Sequence, residues 1–389
     1  MKVLLIHTKY QNIGGEDIAV ESEATFLKKH YELEEIYFSN QISKKPVSLI
    51  KQFFYFLSNK NKDSLNAIED KIQSFQPDVI YIQNTWFKAS LGVFNLAKKY
   101  HIKVIVKLHN YRHYCSKSFL SKVHLNGHSV CYACGFKKKQ FRIFNKYFED
   151  SYLKSFFVII YGKSYLKILK NNDIKILTLT NFQKNFLINQ NIKEEKIVVY
   201  PNHTDKNLIL DGNLKLDIKS NGIVYAGRIS KEKGLIDLIE GFISANLKEL
   251  TLHIIGDGPL LNYLKLEYAV ENIFFHGELD HKTVLQIISK SKAVVTATRL
   301  YEGQPTLLCE ASKMGVPSIF PNTGGIFEFF PENYPLIYKK FDQSDLINKL
   351  KLISNEEIIN ELSVLVKENI EVKFSENVLL EKFSNIFKL

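Results

Sequence analysis

The sequence has little cysteine and no long apolar run. Only 4 of its 389 residues are cysteine, which is too few for a framework of disulfide bonds. No stretch approaches the roughly 18 uninterrupted apolar residues of a transmembrane helix. The apolar run at residues 3–6 is too short for the core of a signal peptide. We therefore expect a cytoplasmic protein, and peripheral binding to the inner face of the cell membrane stays open.

The sequence also lacks the motifs of nucleic-acid-binding proteins and of dinucleotide-dependent enzymes. It contains no zinc-finger, RNP or helix-turn-helix signature, and no G-x-G-x-x-G follows the first apolar run. Its net charge of +11 nevertheless favours an anionic partner, such as nucleic acid, an anionic membrane surface or a phosphorylated small molecule. Because the basic residues are dispersed, a nucleic-acid-binding protein is a less favoured alternative, and we expect no nucleic-acid partner.

Short apolar runs rich in β-branched residues alternate with helical patterns along the chain. This alternation predicts an α/β fold with parallel sheets covered on both faces. A polar stretch near residues 201–221 divides the pattern, so we expect two doubly wound units. The predicted strands lie at residues 3–6, 79–82, 103–108, 174–179 and 197–200 in the first half, and at residues 223–226, 250–255, 293–297 and 318–320 in the second.

A glycine-rich basic loop follows the first predicted strand of the second half. It reads Gly-Arg-Ile-Ser-Lys-Glu-Lys-Gly over residues 227–234 and precedes a predicted helix. Its glycines permit close backbone approach, and Arg228 and Lys233 place two cations beside a helix N-terminus, which suits a diphosphate. An ordinary loop with solvated charges is the alternative, and this loop by itself does not decide between them.

Two carboxylates flank the start of a predicted helix further along the chain. Glu302 precedes Pro305, which suits a first helical turn, and Glu310 lies inside the helix. Carboxylates at such different depths can hold two sets of hydroxyls, as in a nucleoside-linked sugar, and do not form a glycosidase pair. The alternative is a capping glutamate and a solvated one, against which the apolar neighbours of Glu310 argue.

Two glycine turns lie at other strand ends of the second half. Residues 256–259 read Gly-Asp-Gly-Pro, for which ordinary turn chemistry is the favoured interpretation. Residues 321–326 contain Gly324 and Gly325, whose N–H groups can face a ligand or simply form a tight turn.

The first half has two matching features. Gly14 and Gly15 follow the first strand and open a helix, which predicts a further anion site. His109 ends the strand at residues 103–108, and parallel sheets bind ligands at the carboxyl ends of their strands. A lone histidine is more often structural, but this position favours a functional one.

Taken together, the Gly-Arg-x-x-x-Glu-Lys-Gly and Glu-x7-Glu segments, in this order, resemble those of retaining GT-B glycosyltransferases of family 4, which build bacterial polysaccharides and glycolipids. The resemblance spans nearly the whole chain. It implies two Rossmann-like doubly wound domains facing a cleft. An acceptor-binding domain would cover residues 1–205 and a nucleotide-sugar-binding domain residues 206–371. A C-terminal helix at residues 372–389 would cross back to the N-terminal domain.

The resemblance also implies a role for each matching residue. Arg228 and Lys233 match the pair on the donor diphosphate, Glu302 would hold donor sugar hydroxyls, and Glu310 those of the ribose. The family typically has Phe or Leu where Gln304 stands. The implied catalytic residues are His109, Arg228, Lys233 and Glu302. The implied donor-binding residues are Gly14, Gly15, Arg228, Lys233, Glu302, Gly303, Gln304, Pro305, Thr306 and Glu310.

The implied activity is retaining transfer of a hexose-type sugar from a UDP- or GDP-sugar to a lipid-linked or oligosaccharide acceptor, in capsule or lipopolysaccharide biosynthesis. The leaving diphosphate would accept the acceptor's proton, so the resemblance implies no cofactor, catalytic metal or dedicated protein base. A GT-B sugar-nucleotide epimerase is the alternative, over which the Gly-Arg-x-x-x-Glu-Lys-Gly segment favours transfer.

Three cysteines have spacing that zinc sites also use. Cys115, Cys131 and Cys134 form a C-x15-C-x2-C pattern, and His109, His113, His124 or His128 are candidate fourth ligands. Reduced thiols in an acceptor-side loop are the favoured alternative, and no metal is assigned.

Two segments mix basic and apolar residues in a way that suits an anionic interface. Residues 44–62 carry apolar residues at helical spacing with flanking lysines, and residues 136–147 interleave basic and aromatic residues. A buried amphipathic helix with a solvated face is the alternative.

Overall fold

The computed structural model describes residues 1–10, 15–39, 55, 60–86, 88–111, 151–171, 173–204 and 221–387. These residues form two compact units, each with its own sheet. Unit 1 contains the described residues up to His203 together with those from Leu379 onward, and unit 2 contains those from Thr204 to Val378.

Unit 1 is built on a parallel six-stranded sheet. Its strands lie in the order β2-β1-β3-β4-β5-β6. The strands are β1 (Lys2–Lys9), β2 (Glu32–Ser39), β3 (Val79–Ile82), β4 (Lys103–Leu108), β5 (Lys175–Thr178) and β6 (Ile197–Val199). The helices are α1 (Gly15–Lys28), α2 (Lys62–Phe75), α3 (Val93–Lys99), α4 (Tyr152–Asn171) and α5 (Asn181–Ile188).

The interior strands of this sheet are the continuous apolar runs that predicted them. Leu4, Leu5 and Ile6 in β1 are completely buried, because helices cover both faces of a parallel sheet. The sequence did not predict β2. This strand is an edge strand that pairs with β1, and of its residues only Leu33 is buried. An edge strand needs no continuous apolar run. The glutamates of β2 interrupt its apolar residues, so the pattern did not predict a strand.

The C-terminal helix α12 (Glu376–Ile386) contributes to the core of unit 1. Leu379 and Phe383 are completely buried. The Phe383 ring lies 5.5 Å from the ring of Tyr81 on β3 and 5.5 Å from that of Tyr200 beyond β6. Burial of such aromatic area is strongly favourable, so this helix is part of the unit and not an appendage.

Unit 2 carries a second parallel six-stranded sheet, in the order β12-β11-β10-β7-β8-β9. The strands are β7 (Gly222–Ala226), β8 (Thr251–Ile255), β9 (Ile273–Gly277), β10 (Ala293–Val295), β11 (Ser318–Pro321) and β12 (Ile337–Tyr338). The helices are α6 (Leu235–Ala245), α7 (Leu261–Glu267), α8 (His281–Ser289), α9 (Thr306–Lys313), α10 (Gln343–Leu352) and α11 (Glu356–Lys373). The sequence did not predict β9 and β12, which are the two edges of this sheet.

The strand order reverses once in each sheet, between β1 and β3 in unit 1 and between β7 and β10 in unit 2. At such a point the connections leave in opposite directions and open a crevice outside the carboxyl ends of the strands. Each unit therefore offers one ligand crevice, and the residues after these four strands line it.

Candidate functional site

An ion pair joins the two loops at the crevice of unit 2. Lys233 ends a 3-10 turn in the loop after β7, and Glu302 lies in the loop after β10. Lys233 Nζ lies 2.8 Å from Glu302 Oε1, and the two side chains are 27% and 24% exposed. The structure thus brings together the basic loop and the first predicted carboxylate, with both still accessible to a ligand.

Two hydrogen bonds and the close approach of a glycine hold Glu302 in place. Thr298 Oγ1 donates to Glu302 Oε1 at 2.9 Å, and Gly325 N donates to the Glu302 carbonyl at 3.0 Å. Gly324 has a φ of +60°, and a Cβ there would lie 2.1 Å from the same carbonyl oxygen. Burial raises the pKa of Glu302, but Lys233 and Thr298 outweigh it and hold the pKa below its ordinary value. The carboxylate is therefore ionised and rigidly placed at neutral pH.

The Gly-Asp-Gly-Pro turn supports the basic loop directly. Ile229 N donates to the Asp257 carbonyl at 2.8 Å, and Gly227 N donates to the Ile255 carbonyl at 3.0 Å. A Cβ on Gly256 would lie 2.0 Å from the Gly227 carbonyl oxygen. Gly256 must therefore be a glycine, because the backbone of the turn lies against the backbone of the basic loop. The sequence, which favoured ordinary turn chemistry, did not indicate this contact.

Arg228 projects from this loop into solvent. Its side chain is exposed and forms no ion pair with a described residue. Its carbonyl accepts a hydrogen bond of 2.9 Å from the buried hydroxyl of Tyr225. The hydrogen bond from Tyr225 thus holds the loop backbone in place, while the guanidinium stays available to an anion.

Glu310 is buried on α9 and pairs with a residue that sequence reasoning missed. Its Oε1 lies 3.1 Å from His281 Nε2 at the start of α8. The hydrogen bond to Glu310 raises the pKa of His281; burial opposes this rise, and the negative charges of Glu310 and Asp280 add to it. His281 directly follows the N-cap of a helix, a position from which sequence reasoning infers only where a helix begins.

The residues between the two carboxylates form a buried turn and a helix start. Gly303 and Gln304 are buried, Pro305 is the N-cap, and Thr306 begins α9. Gln304 hydrogen-bonds the buried thiol of Cys309, whose pKa burial raises to about 12. The Gln304 side chain therefore turns towards the protein, and the backbone of this turn lines the crevice.

The crevice of unit 1 contains an open pocket. It lies beside His109, which directly follows β4, and Gln83, which follows β3. His109 Nε2 lies 2.6 Å from Gln83 Oε1, and the buried Nδ1 has no hydrogen-bond partner among the described residues. Burial, together with the charges of Lys107 and His7, holds the pKa of His109 well below its usual range. The ring is therefore neutral.

A second group at this pocket centres on Glu16, in the first turn of α1. It accepts hydrogen bonds from Tyr10 Oη at 2.9 Å, from Asn84 Nδ2 at 3.0 Å and from Asn110 Nδ2 at 3.0 Å. Each asparagine follows a predicted strand, and Asn110 directly follows His109, but sequence reasoning assigned a role to neither. Trp86, Tyr161 and Tyr165 add aromatic walls, so the pocket combines polar groups with rings, as small-molecule sites commonly do.

Lys107, also beside this pocket, is completely buried on β4. Its Nζ pairs with the buried carboxylate of Glu23 on α1, which also accepts the Tyr81 hydroxyl. The ammonium lies 4.5 Å from the ring centre of Tyr200. Burial lowers the pKa of Lys107, and Glu23 opposes this fall.

Several predictions fall on residues outside the described part of the chain. These include Gly14, although its neighbour Gly15 begins α1. They also include all three candidate zinc cysteines, the segment 136–147 and nearly all of segment 44–62. Across the described residues, no helix combines the length and apolar character needed to cross a bilayer.

Comparison with known proteins finds similarity to glycosyltransferases. Residues 210–372 match the family model described as "Glycosyl transferases group 1". Unit 2 matches a glycosyltransferase family. The chain is 25% identical over 187 residues to Protein CapJ of Staphylococcus aureus, covering 47% of this chain and 42% of that protein.

A second curated relative is the Escherichia coli UDP-Gal:alpha-D-GlcNAc-diphosphoundecaprenol alpha-1,3-galactosyltransferase. It is 26% identical over 237 residues, which cover 55% of this chain and 59% of that protein. The chain thus spans about half the length of these curated relatives.

Solved structures show that the fold is the GT-B fold of glycosyltransferases. Sucrose-phosphate synthase from Thermosynechococcus elongatus matches with a TM-score of 0.71 at 16% identity, covering 100% of this chain and 98% of that one. Anabaena HepE in complex with UDP and glucose matches with a TM-score of 0.67 at 14% identity, covering 100% of both chains. These findings confirm the predicted α/β architecture and support a GT-B glycosyltransferase.

Proposed function

We propose that this protein is a retaining glycosyltransferase of family 4 that moves a hexose from a nucleotide-sugar to a lipid-linked glycan in cell-surface polysaccharide biosynthesis. The observation that carries the proposal is the Lys233–Glu302 pair at the crevice of unit 2, within the matched residues 210–372. A cation and a carboxylate held together at a strand-order reversal suit a ligand with both a diphosphate and sugar hydroxyls.

The donor would bind unit 2 through groups that differ in charge. Arg228 and Lys233 would contact the diphosphate, where their cations stabilise the negative charge that develops on the leaving group. Glu302 would accept from hydroxyls of the transferred sugar, and Glu310 from those of the ribose. A UDP-sugar is the favoured donor, since the Anabaena structure holds UDP and glucose and the Escherichia coli relative is named for UDP-Gal.

The acceptor would bind the pocket of unit 1. Its aromatic walls suit a sugar ring, and neutral His109 is among its lining residues. The Escherichia coli relative is named for a diphosphoundecaprenol-linked sugar, which favours a lipid-linked acceptor. A cytoplasmic enzyme acting at the inner face of the membrane fits such an acceptor.

The state of the α1 carboxylates supports retention. Glu16 already accepts hydrogen bonds from three donors, Asp17 is buried against His7 at 2.8 Å, and Glu23 is buried against Lys107. Each of these carboxylates is therefore already paired, which favours a reaction in which none of them serves as the base. In the proposed reaction the donor C1–oxygen bond breaks, a bond from C1 to the acceptor oxygen forms on the same face, and the acceptor's proton passes to the leaving diphosphate.

A ligand screen tests the donor site. Calorimetry with UDP-, GDP- and ADP-sugars should detect binding of one nucleotide class, and Glu310→Ala should weaken that binding at least tenfold. Glu271→Ala serves as the matched control, because Glu271 is exposed and precedes β9 at the opposite edge of the sheet. Binding of no nucleotide-sugar, or equal binding by both variants, would contradict the proposal.

Product analysis tests the stereochemistry. With the donor identified, NMR of the glycoside formed on a lipid-linked acceptor should show the anomeric configuration of the donor. An inverted product would overturn retention while leaving the transferase assignment intact. Release of free altered sugar without an acceptor would instead identify an epimerase.

A further inference from the structure

A single histidine contacts both oxygens of the Glu310 carboxylate. His281 Nε2 lies 3.1 Å from Glu310 Oε1 and 3.2 Å from Glu310 Oε2, so the ring nitrogen stands midway between the two oxygens. The Glu310 side chain is 7% exposed, whereas the His281 side chain is 42% exposed. The carboxylate is therefore nearly closed off from solvent, while the ring that contacts it is open to solvent.

This contact joins two helices that follow strands of the unit 2 sheet. Helix α8 begins at His281, after the carboxyl end of β9. Glu310 lies one turn into α9, which follows the turn that lines the crevice after β10. Because parallel sheets bind ligands outside the carboxyl ends of their strands, the contact lies at the ligand-binding end of unit 2.

Two carboxylates act on the His281 ring. The hydrogen bond to Glu310 on α9 has the largest effect and raises the pKa of His281, burial opposes the rise, and the charge of Asp280 on α8 adds to it. Asp280 is itself engaged at the helix start, where it accepts from Thr283 N at 3.0 Å and from Thr283 Oγ1 at 2.6 Å. The buried thiol of Cys309, next to Glu310, has a pKa of about 12 and stays neutral. The contact that holds a proton on the ring is therefore the one to Glu310.

The position of His281 in its helix increases this dependence on Glu310. His281 is the first residue of α8, and the N-terminus of a helix carries a partial positive charge that disfavours a cation. A protonated ring at this position is stabilised while it contacts an ionised carboxylate, and it loses that stabilisation when the carboxylate takes other partners.

The hydroxyls of a ribose would need the position that the ring now occupies. Two adjacent hydroxyls bind an ionised carboxylate by donating one hydrogen bond to each oxygen, over about 2.7 Å. His281 Nε2 stands midway between the two Glu310 oxygens, where such a pair would donate. Because the remainder of the Glu310 side chain is buried, the hydroxyls and the ring compete for the same side of the carboxylate.

We propose that His281 covers the Glu310 carboxylate in the free protein and is displaced by the ribose of the donor, so that donor binding releases a proton from the ring. The displacement rests on the function proposed above, in which Glu310 holds the ribose hydroxyls. His281 is then a positioning residue, which holds Glu310 until the donor binds and does not contact the reacting atoms.

The direction of the pH dependence follows from the same contact. Above the raised pKa of His281 the ring is neutral, and its contact with Glu310 is at its weakest. As pH falls through that pKa, protonation strengthens the contact that the ribose must break. The affinity for the donor is therefore highest above the raised pKa and decreases below it.

Calorimetry with UDP-glucose, or with the GDP- or ADP-sugar if the screen above favours one, tests the displacement. These donors have no group that titrates near neutral pH, so a proton exchanged on binding comes from the protein. We expect proton release, seen as a binding heat that changes with the ionisation enthalpy of the buffer. We also expect the affinity to fall about threefold or more between about pH 8 and about pH 6. Proton uptake, as for a ring that stays beside the bound diphosphate, would overturn the proposal.

Two substitutions remove the titrating ring. His281→Gln keeps a neutral donor for Glu310, and His281→Ala removes the donor. We expect both variants to release no proton and to bind the nucleotide-sugar at about pH 6 at least as tightly as the wild type. Weaker binding by both variants at every pH would show that His281 supports the bound donor, and would overturn the proposal.

His101→Asn is the matched control. His101 is an exposed histidine of unit 1 that precedes β4, and asparagine tolerates its φ of +54°. This variant should keep the proton release and the pH dependence of the wild type. Loss of both in His101→Asn would assign the proton to another site and overturn the role of His281.

The wild type separates the role of His281 from the function above. Binding of a nucleotide-sugar with equal affinity at both pH values and without proton exchange would overturn the displacement alone. Binding of no nucleotide-sugar at either pH would overturn the proposed function, and the displacement with it.

Discussion

Lys233 Nζ donates to Glu302 Oε1 over 2.8 Å, so two loops that are 69 residues apart in sequence share one ion pair. The pair holds a cation and a carboxylate beside each other before any ligand binds. In the proposed reaction, Lys233 would bind the diphosphate and Glu302 would accept hydrogen bonds from sugar hydroxyls. Such preorganisation is the main means by which charged sites stabilise a leaving group.

Loss of either cation should slow sugar transfer. We expect Arg228→Ala and Lys233→Ala each to lower kcat/KM by more than tenfold, which corresponds to about 1.4 kcal/mol or more of transition-state stabilisation. Thermal unfolding and circular dichroism should stay close to wild type. Lys248→Ala, an exposed lysine before β8, is the control. Wild-type turnover in both loop variants would remove the leaving-group role.

The Glu310–His281 pair should show itself in a pH titration. Glu310 raises the folded-state pKa of His281, so the pair stabilises the protein fully below the ordinary histidine pKa and loses this contribution as pH rises through the raised value. NMR of the His281 ring should show this pKa fall in Glu310→Gln, because the charge of Asp280 then remains, among the described residues, as the only neighbouring negative charge that opposes the effect of burial. Glu278→Gln is the control, and a His281 pKa equal in all three proteins would contradict the pairing.

Gly324 should tolerate no side chain. Gly324 and Gly277 both have positive φ, +60° and +73°, but a Cβ lies 2.1 Å from the Glu302 carbonyl at Gly324 and meets nothing within 4 Å at Gly277. Gly277→Ala should cost roughly 1–2 kcal/mol of unfolding free energy from backbone conformation. Gly324→Ala should cost about 3 kcal/mol or more, because the clash adds to this cost.

Urea unfolding of the two glycine variants measures the difference. Donor binding should fall in Gly324→Ala, since Glu302 must move, and persist in Gly277→Ala. Equal unfolding free energies would mean that the turn relaxes and does not fix Glu302.

The buried Lys107–Glu23 pair should behave as one unit in a double-mutant cycle. Lys107→Met leaves an unpaired carboxylate at a completely buried position, and should destabilise the protein by about 3–5 kcal/mol. Adding Glu23→Gln removes that charge and keeps an acceptor for the Tyr81 hydroxyl, so stability should recover in large part. Additive losses in chemical denaturation would show instead that the two residues act independently.

The sequence predicted the elements whose signal is local. β3 and β4 were predicted with the bounds that the structure shows, because a strand buried on both faces is a continuous apolar run. The edge strands β2, β9 and β12 were missed for the complementary reason, since an edge strand keeps one side in solvent. Their identity depends on a neighbour that lies elsewhere in the sequence.

The candidate site likewise contains residues that local sequence features indicate and residues that depend on distant segments. Arg228, Lys233, Glu302 and Glu310 could be picked out because polar residues directly after buried strands, or in a helix that follows one, are local features. The partner of Glu310 could not, because His281 meets it across 29 residues. In unit 1, likewise, Asn84 and Asn110 meet Glu16 across 68 and 94 residues.

By itself, therefore, the sequence determined the α/β class, the strand ends that have candidate functional residues and the types of those residues. It could do so because burial and turn formation depend mainly on residues that are neighbours in the sequence. Only the tertiary structure decided which strand ends lie side by side, since strand order follows from packing between distant segments. That order pairs Lys233 with Glu302 and places α4 behind the pocket, and no local pattern specifies either arrangement.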